Sequence, residues 1–339
     1  MFKKKHSGIF KPSCMMKESI SIKELPTLMI TTVTLNAALD KVYTLPNFKL
    51  DQVHRPEHAI TVPGGKGINA ARVLRLLGAP VGATGIVAGH TGRQVLDGLR
   101  SEGIAADFVE AAHGETRLAI TVLGSSPSTQ TELIEAGPEV TRDELAALRR
   151  KVMTLARSSA WVLFSGSLPQ GCPAGLYAEL IALAKAQGAR TALDASGEAL
   201  ALGLQGGPDL VKPNAEEAAR YAGVTELTPD IAKVAAAQLV KAGAKLAVIS
   251  LGEDGAIAAS ADSLYRVKVP AVSVVSPLGS GDAMVAGMVA AALKHPSDIE
   301  EILRQGAACG TSAALHPMAG FLSTEDVTKL EQQISVHQE

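Results

Sequence analysis

Apolar residues fall into two kinds of segment along most of the chain. Short apolar runs predict β-strands at residues 28–35, 81–87, 161–164, 191–193, 210–211 and 246–250. Between these runs, apolar positions recur at helical spacing and predict α-helices at residues 69–77, 92–102, 142–158, 174–186, 216–222 and 231–242. Such alternation of strands and helices is typical of a mostly parallel sheet with helices on both faces. We therefore predict an α/β protein built in three α/β/α layers.

Two regions interrupt this rhythm. Residues 41–62 and 116–135 contain short alternating runs that are rich in Thr and Val, with no room for a helix. This alternation predicts antiparallel strands, which we place in one small sheet beside the main domain. The C-terminal third returns to helices, predicted at residues 282–293, 298–314 and 324–336. The prediction is one domain over residues 28–336 that carries a small inserted sheet.

The first 27 residues differ from the rest. They contain six lysines and few positions suited to a core, and they lack the continuous apolar segment of a secretory signal. We expect residues 1–27 to be a disordered extension outside the domain.

The composition excludes several classes of protein. The chain has 339 residues, of which 47% are hydrophobic, so it can bury a large core. A net charge of −2 argues against a general nucleic-acid binder. Three scattered cysteines do not make a disulfide framework, and no apolar run approaches the roughly 20 residues of a membrane helix. We expect a cytoplasmic protein that acts on small molecules, without a nucleic-acid or membrane partner.

Glycine and polar residues cluster just before the first predicted helix. Residues 63–69 read Pro-Gly-Gly-Lys-Gly-Ile-Asn. Glycines such as Gly65 let a ligand approach the backbone, and the helix N-terminus adds free N–H groups for an anion. Lys66 could contact a phosphate and Asn69 a hydroxyl, although a simple glycine-rich turn explains the pattern equally well. No Ser or Thr follows the lysine, so the segment is not a Walker A loop.

A second cluster precedes the predicted helix at 282–293. Residues 277–282 read Pro-Leu-Gly-Ser-Gly-Asp. Gly279, Ser280 and Gly281 can present consecutive N–H groups to a phosphoryl group in transfer. Asp282 could be an ordinary N-cap or a general base that takes a proton from a sugar hydroxyl. The spacing is a poor match to a dinucleotide-binding fingerprint, because Met284 stands where Gly or Ala is required.

Further polar residues follow predicted strands, where open α/β sheets bind ligands. They are Asp40, Ser167, Asp194, Lys212, Asn214, Glu217, Ser250, Gly252 and Gly255. Asn214 and Glu217 are one helical turn apart, and an amide with a carboxylate can hold Mg²⁺ through water. Each residue has a structural explanation by itself, but together they point to one edge of the sheet. The histidines show no ligand spacing for a transition metal.

The ordered motifs at residues 64–69, 212–217 and 279–282 resemble the ribokinase-like, PfkB-type sugar kinases. The resemblance extends from about residue 29 to the C-terminal helices. Segments 34–40, 116–117, 135–138, 165–169 and 194–198 are similar to the phosphosugar branch, namely 1-phosphofructokinase, tagatose-6-phosphate kinase and the minor 6-phosphofructokinase. Ala37 departs from the proline usual in that group, and Ser280 stands where alanine is common.

The resemblance implies a ribokinase-like fold whose small sheet acts as a lid, and a set of residue roles. Asp282 would be the catalytic base, and the anion hole would consist of Gly279, Ser280 and Gly281. The sugar would contact Asp40, Gly65, Lys66 and Asn69, and its phosphate would contact Arg117, with Arg55 and Ser167. Asn214 and Glu217 would organise Mg²⁺ and ATP, with Lys212 at the phosphates. Further along the nucleotide would lie Ser250, Gly252 and Gly255.

The resemblance leaves the acceptor open. Fructose 1-phosphate is the first choice, and tagatose 6-phosphate or fructose 6-phosphate are the alternatives. It also implies a homodimer through the lid, and a monovalent cation near residues 276–278 and 308–315. Two other classes are alternatives: a non-catalytic sugar-phosphate or nucleotide sensor on this fold, and a Rossmann dehydrogenase.

Overall fold

The predicted polar residues lie at the edge of a long central sheet where its parallel strands end. The structure is a computed structural model, and it describes residues 29–125 and 128–339. The extension predicted at residues 1–27 lies outside the described residues.

The described strands form two sheets. The main sheet contains β1 (Met29–Thr34), β4 (Val81–Ala88), β5 (Ala105–Ala106), β6 (Val109–Ala111), β9 (Ser159–Ser165), β10 (Arg190–Asp194), β11 (Leu210–Val211), β12 (Leu246–Ser250), β13 (Ala256–Ala259), β14 (Leu264–Lys268) and β15 (Ser335–Gln338). The small sheet contains β2 (Ala38–Leu45), β3 (His58–Gly64), β7 (Arg117–Ser125) and β8 (Ser128–Ile134). The main sheet has the order β15-β14-β13-β12-β11-β10-β9-β1-β4-β5, with β6 also paired to β4. Its pairs are parallel from β12 to β5 and antiparallel from β12 to β15.

Ten described helices surround the main sheet. They are α1 (Lys66–Leu76), α2 (Gly89–Ser101), α3 (Arg142–Ala156), α4 (Leu176–Ala186), α5 (Gly197–Gly203), α6 (Ala215–Ala222), α7 (Pro229–Lys241), α8 (Ser280–Lys294), α9 (Ile299–Ala313) and α10 (Thr324–Glu331). Apolar side chains of α1, α2 and α8 to α10 share one core cluster, and those of α3 to α7 share a second. The two faces of β1 belong to different clusters, because Ile30 packs in the first cluster and Val33 in the second. The sheet is therefore covered on both faces, as the apolar strands predict.

Local sequence signals set several helix starts. Thr141 and Glu144 form a reciprocal capping box at α3, and Asn214 with Glu217 forms another at α6. These caps satisfy backbone N–H groups that a helix start otherwise leaves without partners. The structure begins α1 at Lys66, three residues before the predicted start. Lys66 therefore projects from the first turn of a helix.

The predicted small sheet is present, but one of its pairings is parallel where antiparallel strands were predicted. Its order is β3-β2-β7-β8, and β2 pairs with β7 in parallel. The register places Ala38 beside Arg117, so both strands enter the small sheet at the same end and run in the same direction. The pairs β2–β3 and β7–β8 are antiparallel, as predicted.

The C-terminal helix prediction is wrong in its last turn. Helix α10 ends at Glu331, and the following Ser335–Gln338 segment pairs with β14 as an antiparallel edge strand. Val336 is buried opposite Val267, which is the alternation of a strand rather than of a helix. Strands β5, β6, β13 and β14 were not predicted.

In the described part of the chain, no helix combines the length and hydropathy that a membrane span requires.

Candidate active site

The candidate site lies where the strands of the main sheet end. The carboxyl ends of β1, β9, β10 and β12 meet the first turns of α1, α6 and α8 at this edge. Most predicted site residues stand on these strand ends and helix starts, on elements that the two core clusters hold rigidly.

Asp282 is a buried carboxylate in the first turn of α8. Only 6% of the residue is exposed. The Asn69 side chain on α1 donates from Nδ2 to Oδ2 of Asp282 at 2.9 Å. Burial raises the pKa of Asp282 to about 7, against the charge of Lys66, which lowers it. Asp282 can therefore change its protonation state near neutral pH, which a general base requires.

Two lysines surround the buried carboxylate of Asp194. Lys66 Nζ lies 3.3 Å and Lys212 Nζ 3.6 Å from Oδ1 of Asp194. Burial alone would raise the pKa of Asp194, but the charges of Lys212 and Lys66 hold it below its ordinary value. The charge of Asp194 raises the pKa of Lys66, against its burial. Lys66 is thus held as a cation, and it also lies 3.5 Å from Oε1 of Glu217.

The first turn of helix α8, with its free N–H groups, lies beside these lysines. Gly279 precedes the helix with a φ of 75°, a left-handed conformation that favours glycine. The Ser280 N–H donates to the Pro277 carbonyl, whereas Gly281 and Asp282 stand where no earlier turn can accept their N–H groups. A Cβ atom on Gly281 would lie 3.2 Å from Nζ of Lys212. A helix N-terminus with an ammonium group beside it is a site for an anion.

Asp40 lies on β2 beside the glycine loop. A Cβ atom on Gly64 would lie only 2.0 Å from Cγ of Asp40, so the carboxylate occupies the space that a side chain would fill. Burial raises the pKa of Asp40 to about 6, against the charges of Arg72 and Arg117, which lower it. Burial also holds the pKa of Arg117 below its ordinary value, against the Asp40 charge. Arg117 and Asp40 therefore interact electrostatically across the paired strands β2 and β7.

Asn36 connects two of the predicted phosphate-binding residues. Its backbone carbonyl accepts from Nε of Arg117 at 3.3 Å, and its side-chain Nδ2 donates to Oγ of Ser167 at 3.2 Å. Gly137 gives it room, because a Cβ atom there would lie 2.3 Å from Oδ1 of Asn36. Arg55 is exposed in the loop between β2 and β3, and no recorded contact of the described residues joins it to this site.

The predicted nucleotide residues lie beside the lysines. Asn214 and Ser250 form a bridge between the ends of β11 and β12, and Lys212 immediately precedes this point. Gly252 and Gly255 form the turn into β13. Gly255 has a structural reason to be glycine, since its φ is 79° and a Cβ atom would lie 2.2 Å from the Val267 carbonyl oxygen.

Asn214 and Glu217 offer the oxygen ligands that Mg²⁺ prefers. Their capping box already uses Oδ1 of Asn214 and Oε2 of Glu217. Such a pair fits a cation held through water and substrate phosphates better than one enclosed by protein. No group of three or more His, Cys, Asp or Glu side chains suited to a metal ion occurs among residues 29–125 and 128–339.

A row of polar atoms without partners lies on the floor of the site. Thr34 pairs in register with Ser165, and Ser165 with Asp194, so the three stand side by side on adjacent strands. Oγ1 of Thr34, Oγ of Ser165 and Oδ2 of Asp194 are all buried, and none has a hydrogen-bond partner within the described structure. Buried polar groups normally have partners, so this row fits a site that receives a polar ligand.

Comparison with known proteins identifies the family. A model of the pfkB family carbohydrate kinases matches residues 30–326. The chain belongs to the pfkB family of carbohydrate kinases. It is therefore a phosphotransferase that uses a hydroxyl group as acceptor, and the family implies ATP and a divalent cation.

Solved pfkB-type kinases resemble the whole fold. Phosphofructokinase-2 from Escherichia coli, in complex with potassium, is 32% identical and superposes with a TM-score of 0.84, covering 90% of this chain and 99% of that one. That enzyme has also been solved as a tetrameric inhibited form and with fructose 6-phosphate. A possible 1-phosphofructokinase from Thermotoga maritima is 28% identical with a TM-score of 0.83, covering 92% and 99%.

A ribokinase shares the fold at a greater distance. The Arabidopsis thaliana ribokinase, solved with ribose and ATP, is 21% identical with a TM-score of 0.70, covering 91% of this chain and 99% of that one. The family, the α/β fold class with its small second sheet, and the kinase prediction are confirmed. Two residues that contact the candidate site, Asn36 and Arg72, were given no role from the sequence. Asn36 directly follows the strand predicted at residues 28–35, which is the signal that could have marked it, whereas Arg72 stands inside a helix where no local motif marks it.

Proposed function

We propose that this pfkB kinase transfers the γ-phosphoryl group of ATP to a ketohexose phosphate, with fructose 1-phosphate as the first candidate. One observation carries the proposal. A buried carboxylate with a pKa near 7 stands in the first turn of a helix with free N–H groups, next to two lysines. That combination supplies a base for the hydroxyl and a cationic cradle for the phosphoryl group.

Asp282 is the proposed general base. It accepts the proton of the attacking sugar hydroxyl as the oxygen forms its bond to phosphorus. Asn69 holds the carboxylate through its Nδ2 donor, which leaves Oδ1 of Asp282 for the hydroxyl. Because the pKa is near neutral, the group is substantially ionised at physiological pH and still basic enough to accept a proton.

The transferred group would lie over the start of α8. Gly279, with its left-handed backbone, turns the chain so that Ser280 and Gly281 open the helix toward the ligand. The N–H groups of Gly281 and Asp282, with the ammonium of Lys212, would stabilise charge on its oxygens. Lys66 would contact the sugar or the phosphoryl group from the opposite helix.

Asn214 and Glu217 would hold Mg²⁺ through water, with Ser250 and Gly252 along the nucleotide. A bound Mg²⁺ supplies charge neutralisation for the phosphates of ATP. Glu217 is well placed for this role, because its Oε1 lies within 3.5 Å of Lys66, at the boundary between the sugar and nucleotide sides.

The acceptor would lie between α1 and the small sheet. Asp40, Gly65 and Asn69 would bind its hydroxyls, and Arg117 would bind its phosphate. Arg is well suited to a bidentate phosphate contact. Ser167, joined to Arg117 through Asn36, would add a hydroxyl to the same phosphate. Arg55, exposed in the loop between β2 and β3, is a further proposed phosphate contact.

Fructose 6-phosphate is the second candidate, because the Escherichia coli enzyme solved with it is 32% identical.

The small sheet is the proposed lid, which would exclude water from the acceptor. It also exposes Ile60, Leu133 and Ile134. We propose that a second copy of the chain covers this apolar surface in a homodimer. Leu133→Lys should then lower the mass measured by light scattering. A dimer that is unchanged in this variant would contradict the lid interface.

Potassium or another monovalent cation remains a proposal. The two segments predicted to hold it are joined in the structure, because the N–H groups of Val275 and Ser276 both donate to the Ala314 carbonyl. Turnover with and without potassium at constant ionic strength would test this site.

The function is tested by Asp282→Asn with a panel of acceptors. The variant should lose turnover by about 10²–10⁴, the usual worth of general base catalysis, while ATP still binds. The panel should contain fructose 1-phosphate, fructose 6-phosphate, tagatose 6-phosphate and unphosphorylated fructose, with ADP release as the assay. A variant with near-normal turnover would overturn the base assignment, and a kcat/KM that favours unphosphorylated fructose would overturn the role of Arg117.

A further inference from the structure

Arg72 is a buried arginine on α1, one helical turn beyond Asn69. Only 4% of the residue is exposed, and its guanidinium has a partner in every direction. It forms a two-point contact with Glu102, at 2.9 and 3.0 Å, and lies 5.0 Å from the centre of the Phe321 ring. Its other N–H groups donate to Pro63 O at 2.7 Å, Asn69 Oδ1 at 3.3 Å and Ala319 O at 3.4 Å.

These contacts join the two halves of the site from behind. Pro63 immediately precedes the glycine loop on the sugar side. Ala319 supports the phosphoryl side, because a Cβ atom on Gly279 would lie 2.6 Å from the Ala319 Cβ. Gly320 must also be small, since a Cβ atom there would lie 2.6 Å from Nη1 of Arg72. Arg72 thus contacts one segment beside each glycine cluster without facing either substrate pocket.

The contact with Asn69 has a chemical consequence. An amide presents an oxygen on one side and an NH₂ group on the other. Arg72 has only donors, so it requires the oxygen of Asn69 on its own side. The NH₂ group must then face Asp282, which it contacts at 2.9 Å. An amide turned the other way would place its oxygen against the carboxylate.

We propose that Arg72 is a positioning residue for phosphoryl transfer, which orients the Asn69 amide so that it donates to Asp282. The proposal rests on the proposed function, in which Asp282 is the base. The alternative is a purely structural arginine, whose contact with Glu102 fastens α1 to the end of α2. Both roles predict a loss of stability without Arg72, but only the first predicts a change in how Asp282 titrates.

The other charges around Asp282 stay in place when Arg72 is replaced. They are Lys66 on α1, Asp194 at the end of β10 and Lys212 after β11. Arg72 also lowers the pKa of Asp40, so its loss affects acceptor binding as well. The kcat at saturating acceptor and Mg²⁺–ATP reports groups in the bound complex, and it separates the base from the binding step.

The experiment compares Arg72→Met with Glu102→Gln in the full-length enzyme. Glu102→Gln removes the charge that pairs with Arg72 but keeps the donor to Asn69. We expect the acid limb of the kcat–pH profile to move up by about one pH unit in Arg72→Met, which is the size of one hydrogen bond to a charged group. At pH 6.5 this is about a tenfold loss of kcat that is recovered near pH 9. The Glu102→Gln profile should match wild type.

A double variant tests whether Arg72 acts through Asn69. Asn69→Ala should move the acid limb in the same direction, and adding Arg72→Met should move it no further. Additive shifts, or an unmoved limb in Arg72→Met, would overturn the proposal. If Arg72→Met does not fold, Arg72→Lys replaces it, because one ammonium group cannot hold both Glu102 and Asn69; an unmoved limb there overturns the proposal equally. Failure of the proposed function is seen separately, as wild-type turnover in Asp282→Asn.

Discussion

Replacing Asp40 with asparagine should stabilise the protein while weakening its binding of the acceptor. The carboxylate lies over Gly64, and the residue is half-buried. Burial raises its pKa from 3.8 to about 6, although Arg72 and Arg117 both oppose the change. An ionised Asp40 is therefore less stable in the folded protein than in the unfolded chain. Asparagine has nearly the same shape and cannot ionise.

The sign and size of the effect follow from this pKa. Between pH 4 and pH 6 the folded protein keeps the Asp40 proton and the unfolded chain does not, so the stability of wild type falls as pH rises through this window. The difference of about two units corresponds to at most about 3 kcal/mol of unfolding free energy above pH 6. For a domain of this size, that is a melting temperature higher by about 5 °C in Asp40→Asn.

The assay is thermal unfolding followed by circular dichroism, at pH 4.5 and pH 7.5. The gain of Asp40→Asn should be small at the lower pH and reach its full size at the higher one. Asp262→Asn, in the exposed turn between β13 and β14, controls for the loss of one negative charge. The KM for the acceptor should rise in Asp40→Asn and not in the control. A gain of equal size at both pH values, or none at pH 7.5, would refute the reasoning from burial.

Two further substitutions test neighbouring parts of the site. Gly64→Ala should displace the Asp40 carboxylate and raise the acceptor KM by about 10- to 100-fold, which corresponds to the loss of a hydrogen bond to a charged group. The control is Gly175→Ala, which places its Cβ atom in open space and should leave the KM unchanged in the same steady-state assay. Lys212→Met should lower kcat by about 10²–10³ with little effect on the acceptor KM, because it removes a cation beside the phosphoryl site. Lys245→Met, at an exposed ion pair, is its control, and equal kcat values in the two lysine variants would contradict the anion hole.

The sequence predicts those parts of the site that local physical constraints mark. Glycine loops before helices, and polar residues after buried strands, marked most of the residues that the fold brings together at one edge of the main sheet. Arg72 carries no such mark, because an arginine at a helical position is ordinarily an exposed one. It is buried here by tertiary contacts with Pro63, Glu102, Ala319 and Phe321. Strand β13 was missed because its four residues include three alanines, which have no strand preference of their own.

The direction of β2 relative to β7 was also beyond local inference. Alternation defines which residues share a face, but it does not distinguish parallel from antiparallel neighbours. The chain decides this by topology, because Ala38 and Arg117 enter the small sheet from the same side. The two strands then place Asp40 and Arg117 at one end of the small sheet, where both belong to the proposed acceptor site. The wrong strand direction did not change which residues were predicted for the site, because Asp40 and Arg117 stand near the end at which both strands enter the sheet.

The charges at the centre of the candidate site compensate one another without a ligand. Two lysines at a helix N-terminus would repel each other and the helix dipole. Asp194 lies between them with one oxygen toward both ammonium groups, and it leaves Oδ2 without a partner. The carboxylate thus compensates the cations without covering the free N–H groups of α8. In the proposed reaction, an incoming phosphoryl group would meet a site that is already charged, so little of its binding free energy would be needed to arrange the cations.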